Sequence, residues 1–119
     1  AVPDAELLFS CAEAVKAAGY PFHIGIARSH DSFYTDRQDE IDACWSKRGV
    51  LGCDMETAAL YTIGRLRHIR CMSILNNVVP YAADTPESIG SYVDGEDAAM
   101  RGEQNEILTA LEAFARFEK

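Results

Sequence analysis

A chain of 119 residues has the length of one modest domain, and its 48% hydrophobic and 25% charged content is that of a globular protein. Nineteen acidic residues against 11 basic ones give a formal net charge of −8. That balance excludes the basic face a nucleic-acid partner requires, but not a small anionic ligand held by a few local donors.

The elements follow in chain order. Leu7, Leu8, Cys11, Ala14, Val15 and Ala18 recur at helical spacing, which predicts a helix over 4–18. Asp4 suits its cap and Gly19 its stop. In "YPFHIGIARS", Phe22, Ile24 and Ile26 alternate with His23 and Gly25, the mark of a strand over 22–28. "HDSFYTDRQDE" is a polar loop with embedded aromatics, of the kind that carries function. Residues 36–47 form a short helix with Ile41, Cys44 and Trp45 on one side. "GVLGCDM" is a short buried strand over 49–54, and "ETAALYTIGRLRHI" a helix over 56–68. Its stripe of Ala59, Leu60, Ile63 and Leu66 calls for burial. "RCMSILNNVV" is apolar until Asn76 and Asn77, as in a strand covered on both faces, near 70–79. "PYAADTPESIGSYVDGED" is a loop, and 95–117 a final amphipathic helix with Ile107, Leu108, Leu111 and Phe114 as its core face. Strands alternating with helices predict an α/β protein with a parallel or mixed sheet. Three strands make a thin sheet whose edges need cover, as in part of a larger domain.

No apolar run approaches the roughly 18 residues of a membrane helix. The opening "AVPDAELL" lacks the basic start and long apolar core of a signal peptide. Cys11, Cys44, Cys53 and Cys71 form no C-x-x-C pair, so they read as free thiols in a reducing cytosol, with no metal site. A cytoplasmic protein without a membrane partner is expected.

In an α/β sheet, ligands gather at the carboxyl ends of strands. Polar clusters follow all three predicted strands: Ser29-His30-Asp31-Ser32-Phe33, Asp54-Met55-Glu56 and Asn76-Asn77. For Asp54 and Glu56 two readings stand together. A carboxylate accepts from two neighbouring hydroxyls, the geometry of a ribose 2′,3′-diol. Equally, acids in a first helical turn are stabilised by about 0.3–1 kcal/mol each. Phe33 can stack on a planar base or pack as a local lid. Arg37 and Gln38 have the donors and acceptor to read a base edge, or they are simply solvated beside Asp36, Asp39 and Glu40. Asn76 and Asn77 are amides that need partners, from a ligand or from the strand end itself. His30 is a ligand-side donor or a bland loop residue; His23 and His68 carry no role.

Together "HIGIARSHDSFY", "GVLGCDMETAALYTIG" and "CMSILNNVV" resemble the nucleoside phosphorylase superfamily, most closely its uridine phosphorylase branch. The resemblance runs in order over residues 1–118. It implies a three-layer α/β/α sandwich around a mixed, partly barrel-like sheet, with residues 1–119 as the C-terminal half of a single domain. It implies reversible phosphorolysis of a nucleoside to free base and ribose 1-phosphate, with inorganic phosphate as co-substrate and no other cofactor or metal. By resemblance, Glu56 grips the ribose hydroxyls, Met55 packs beneath the sugar and Phe33 stacks in the base region. Anchoring the sugar aligns it with the attacking phosphate.

The chain departs from the family at four points. The first acid of the family's Glu-Met-Glu is Asp54 here. The purine branch's proton-donating Asp aligns with Asn77, and an amide is no general acid; a pyrimidine anion can leave on hydrogen bonds alone. The uridine pattern of Gln and then Arg two apart is here the adjacent pair Arg37-Gln38, kept for base recognition. The glycine-rich phosphate loop and phosphate-binding arginines of the family's N-terminal half have no counterpart. The chain alone is therefore expected to be inactive, and to join in a homo-oligomer (dimer or hexamer) or with its own N-terminal half. The alternatives are a purine nucleoside phosphorylase or nucleosidase of the same superfamily, and a non-catalytic nucleoside-binding or assembly module.

Overall fold

The computed structural model describes residues 1–81, 87–90 and 97–117. Helix α1 (Ala5–Ala18) starts where the Asp4 carboxylate accepts from the Leu7 N–H at 3.0 Å. It stops at Gly19, whose φ of 74° is the left-handed conformation that glycine adopts without cost. Strand β1 (Ile26–Ser29), helix α2 (Gln38–Ser46) and strand β2 (Val50–Asp54) form a βαβ unit. The strands pair in parallel, with Ser29 opposite Asp54, and parallel pairing requires such a crossover. Helix α3 (Thr57–Leu66) leaves the end of β2. It closes with Ile69 N–H donating to the Gly64 carbonyl at 2.8 Å, past His68 at φ 56°. Helix α4 (Asp97–Phe117) ends the described chain.

The described sheet has two strands, in the order β1-β2. β1 is shorter than the predicted 22–28, and the predicted third strand near 70–79 is not one. Residues 70–77 run without a ladder. Side chains and isolated backbone bonds hold this stretch instead. Ser73 N–H donates to Tyr61 Oη at 3.0 Å, Asn76 Nδ2 donates to the Ala99 carbonyl at 3.0 Å, and the Cys71 carbonyl accepts from the Asp4 N–H at 2.8 Å. Glycine notches admit the stretch: a Cβ on Gly64 of α3 would meet Cys71, and one on Gly102 of α4 would meet the Asn76 amide. An apolar run supplies a strand's side chains, but a strand also needs a neighbour for its backbone.

The described core lies between α1 and α4. Cys11, Ala14 and Ala113 form it, with Met72 and Ile74 packed alongside, and Ser10 Oγ donates to the Ala113 carbonyl at 2.8 Å. This corrects the predicted core face of α4. Thr109 and Ala113 face α1, whereas Ile107, Leu108, Leu111 and Phe114 are exposed. The α3 stripe is likewise open at Leu60, Ile63 and Leu66, and so are Ile26 and Leu51 on the sheet. The helix period is right in both cases, but the side chosen for burial is the one carrying small residues that let two backbones approach. The accessible surface is 9050 Å². Surface scaling with mass gives about 6,400 Å² for a folded monomer of 13.1 kDa.

Candidate functional site

The polar clusters after β1 and β2 meet because parallel strands bring their carboxyl ends to the same edge. Ser29 Oγ donates to Asp54 Oδ1 at 2.6 Å and accepts from the Ala58 N–H at 2.9 Å. Asp54 Oδ2 accepts from the Thr57 N–H at 2.8 Å, and the Asp54 carbonyl accepts from the His30 N–H at 3.0 Å. Four hydrogen bonds thus tie the ends of both strands to the first turn of α3. Burial alone would raise the Asp54 carboxyl, but the hydrogen bonds from Ser29 and Thr57 outweigh it and hold the group below the usual aspartate range. The neighbouring Cys53 thiol is pushed up, first by burial and then by the Asp42 and Asp54 charges, against the pull of Arg28. Cys53 is therefore a poor source of thiolate.

Met55 and Glu56 stand on this junction with their side chains exposed. Glu56 Oε2 accepts from the Met55 N–H at 2.9 Å. The structure thus gives the two acids different work: Asp54 is held by the fold, while Glu56 turns to solvent. One link reaches the third cluster. Thr57 Oγ1 donates to Ser73 Oγ at 2.9 Å, which fixes the stretch leading to the exposed Asn77.

The predicted base-side residues are less gathered. Phe33 is exposed in the loop after β1, with its ring edge-on to Tyr34 at a centroid distance of 5.2 Å. His30 Nδ1 lies 2.9 Å from the Ser32 carbonyl oxygen, which requires the proton on Nδ1 and steadies the same loop. Arg37 Nη2 pairs with Glu40 at 2.9 Å, and Gln38 Nε2 donates to both Asp42 oxygens at 2.9 Å. Both side chains engage acids of α2 itself. Two open grooves between helices, one of about 410 Å³ and one of about 360 Å³, touch none of the predicted site residues. The strand-end site, among the described residues, is an open shelf, with Phe33, Met55, Glu56 and Asn77 all exposed. Among the described residues, no three His, Cys, Asp or Glu side chains converge as metal ligands would, and no helix is long and apolar enough to cross a membrane.

Sequence reasoning placed Ser29 in the polar cluster after the first strand without a partner, and gave no role to Thr57, Tyr61 or Ser73. Only the register pairs Ser29 with Asp54, because that partner lies 25 residues along the chain. The hydroxyls of Thr57, Tyr61 and Ser73 bond across the same junction without any local motif to mark them.

Comparison with known proteins gives one family. Residues 1–109 match the pattern that defines the Phosphorylase superfamily. The purine nucleoside phosphorylase (DeoD-type) of Roseobacter denitrificans is 39% identical over 70 residues, covering 59% of this chain and 30% of that protein. The Bacillus subtilis protein of the same name is 40% identical over 72 residues, covering 60% and 30%. The crystal structure of uridine phosphorylase from Vibrio fischeri ES114 superposes with a TM-score of 0.83 at 41% identity, covering 98% of this chain and 46% of that one. The same enzyme with 6-hydroxy-1-naphthoic acid gives 0.82 and 40%. The chain thus spans less than half the length of the proteins it matches. On the family pattern and the shared fold, this chain belongs to the phosphorylase superfamily.

Proposed function

We propose that this chain is the nucleoside side of a nucleoside phosphorylase, acting on uridine with phosphate to give uracil and ribose 1-phosphate. What carries the proposal is the junction at which Asp54-Met55-Glu56 leaves β2 opposite Ser29. It presents an exposed carboxylate and an exposed thioether side by side in the chain at the carboxyl end of a parallel strand pair. Glu56 grips the 2′- and 3′-hydroxyls, Met55 packs beneath the sugar, and Phe33 stacks on the base. Arg37 and Gln38 exchange Glu40 and Asp42 for the base edge. Asn77 stabilises the leaving pyrimidine by hydrogen bonding, since an amide has no proton to give as an acid. Inorganic phosphate is the co-substrate, held by the half of the fold that this chain does not match, and no other cofactor is required. In the complete protein the two-stranded sheet belongs to a mixed, partly barrel-like sheet in a three-layer α/β/α sandwich. Residues 1–119 are its C-terminal half. The complete protein is a cytoplasmic homo-oligomer, dimer or hexamer.

A second reading, purine nucleoside phosphorylase, has the names of the curated relatives in its favour. The assay that separates the readings follows base release from uridine, thymidine and inosine by the chain joined to a phosphate-binding half, with and without phosphate. Phosphate-dependent release of uracil supports the proposal, and a preference for inosine replaces it with the purine reading. Release without phosphate makes the protein a nucleosidase. Binding without turnover makes it a nucleoside-binding or assembly module. The 119-residue chain alone should show little or no turnover.

A further inference from the structure

We infer that Asp54 and Ser29 form a positioning latch that sets the direction of Glu56 without touching the ligand, an inference that rests on the nucleoside-site reading above. The side chains at positions 54 and 56 look equivalent in sequence, two acids flanking a methionine. Their surroundings make them different. Asp54 spends one carboxylate oxygen on Ser29 Oγ at 2.6 Å and the other on the Thr57 N–H at 2.8 Å. Both donors belong to the fold. Ser29 Oγ in turn gives its only proton to Asp54 and takes the Ala58 N–H at 2.9 Å. Two neighbouring amides at the start of α3, which have no intrahelical acceptor, are thereby satisfied by one strand-end pair. The side chain of Glu56 is exposed, and its one described bond is to the adjacent Met55 N–H.

The aspartate at position 54 reaches both Ser29, directly opposite in the parallel register, and the Thr57 amide. The backbone between these anchors is Met55-Glu56, so fixing Asp54 and Thr57 fixes the direction in which Glu56 leaves the shelf. Asp54 therefore acts through Glu56 and not on the ligand.

The test has two readouts on the chain joined to a phosphate-binding half. The first is amide hydrogen exchange at Thr57 and Ala58. Losing a charge-assisted bond should speed exchange by about tenfold or more in Asp54→Ala, and Ser29→Ala should do the same, while Ser29→Thr retains protection. The second is a double-mutant cycle in the affinity for uridine against 2′,3′-dideoxyuridine, which lacks the diol. Glu56→Gln should erase the preference for uridine. Asp54→Ala should weaken it in the wild-type background and add nothing in the Glu56→Gln background. Additive losses would make Asp54 a ligand contact and overturn the inference. So would unchanged exchange at Thr57 and Ala58 in the Ser29→Ala variant. If the unsubstituted protein binds neither nucleoside, the nucleoside reading fails and the diol assignment with it, while the exchange data still decide whether the latch exists.

Discussion

Gly64→Ala sets two opposite effects against each other at one position. Gly64 lies inside α3, where alanine is favoured over glycine by about 0.8–1 kcal/mol. A methyl there, however, would collide with Cys71 Sγ and approach the Ile69 carbonyl oxygen to 3.1 Å and Cys71 Cβ to 3.3 Å. Cys71 Sγ can turn away only by leaving its 3.7 Å contact with the Ile69 carbonyl, and the backbone on both sides is held. Ile69 N–H donates to the Gly64 carbonyl at 2.8 Å, and the Cys71 carbonyl accepts from the Asp4 N–H at 2.8 Å. Overpacking costs about 1–3 kcal/mol, and a hydrogen bond lost in relieving it adds about 1 kcal/mol. The steric side wins, and Gly64→Ala should destabilise by about 1–3 kcal/mol after the helix gain is counted. Urea unfolding followed by circular dichroism measures it, with Gly52→Ala as control because a Cβ at Gly52 meets nothing within 4 Å. A Gly64→Ala protein as stable as its parent, or more so, would refute the account of the notch.

Three further outcomes are expected. Asp4→Ala removes the cap of α1 and should cost about 1 kcal/mol in the same unfolding assay. Asp54 has a folded pKa below its unfolded value, so the stability it contributes is present above the unfolded value and lost as pH falls through the folded one. Unfolding midpoints of Asp54→Asn should accordingly vary less with pH on the acid side than those of the parent. Finally, the chain exposes about 2,600 Å² more than a folded monomer of its mass, the area class of an obligate interface. The 119-residue polypeptide alone should associate in sedimentation and bind a hydrophobic dye, and a dye-negative monomer would show that this surface needs no cover.

The helices were the legible part of the fold. α1 was readable to within a residue because its period, its cap Asp4 and its stop Gly19 are all local. α4 was readable in extent but not in facing: Ile107, Leu108, Leu111 and Phe114 look like a core, yet Thr109 and Ala113 make the contact with α1. Residues 70–77 have a strand's composition and no ladder, since pairing belongs to two segments and composition to one. Within the site, the strand-end placement of Asp54, Met55 and Glu56 followed from the change of period at Glu56. The division of labour between the two acids did not, because it depends on Ser29 in another strand. For Arg37 and Gln38 the warning was in the sequence: Glu40 and Asp42 lie three and four residues further along, within reach on one helix face.

The bond from the Met55 N–H to Glu56 has a consequence for how the shelf would handle its ligand. A carboxylate already accepting a proton from its own backbone binds by exchange. To take two sugar hydroxyls, Glu56 gives up its internal donor and some of its water, so the net gain is closer to one hydrogen bond than to two. Such a shelf holds the sugar in register and lets it go again. If the proposed phosphorolysis is the reaction, its product sugar still carries both hydroxyls, and fast release is as useful as tight capture.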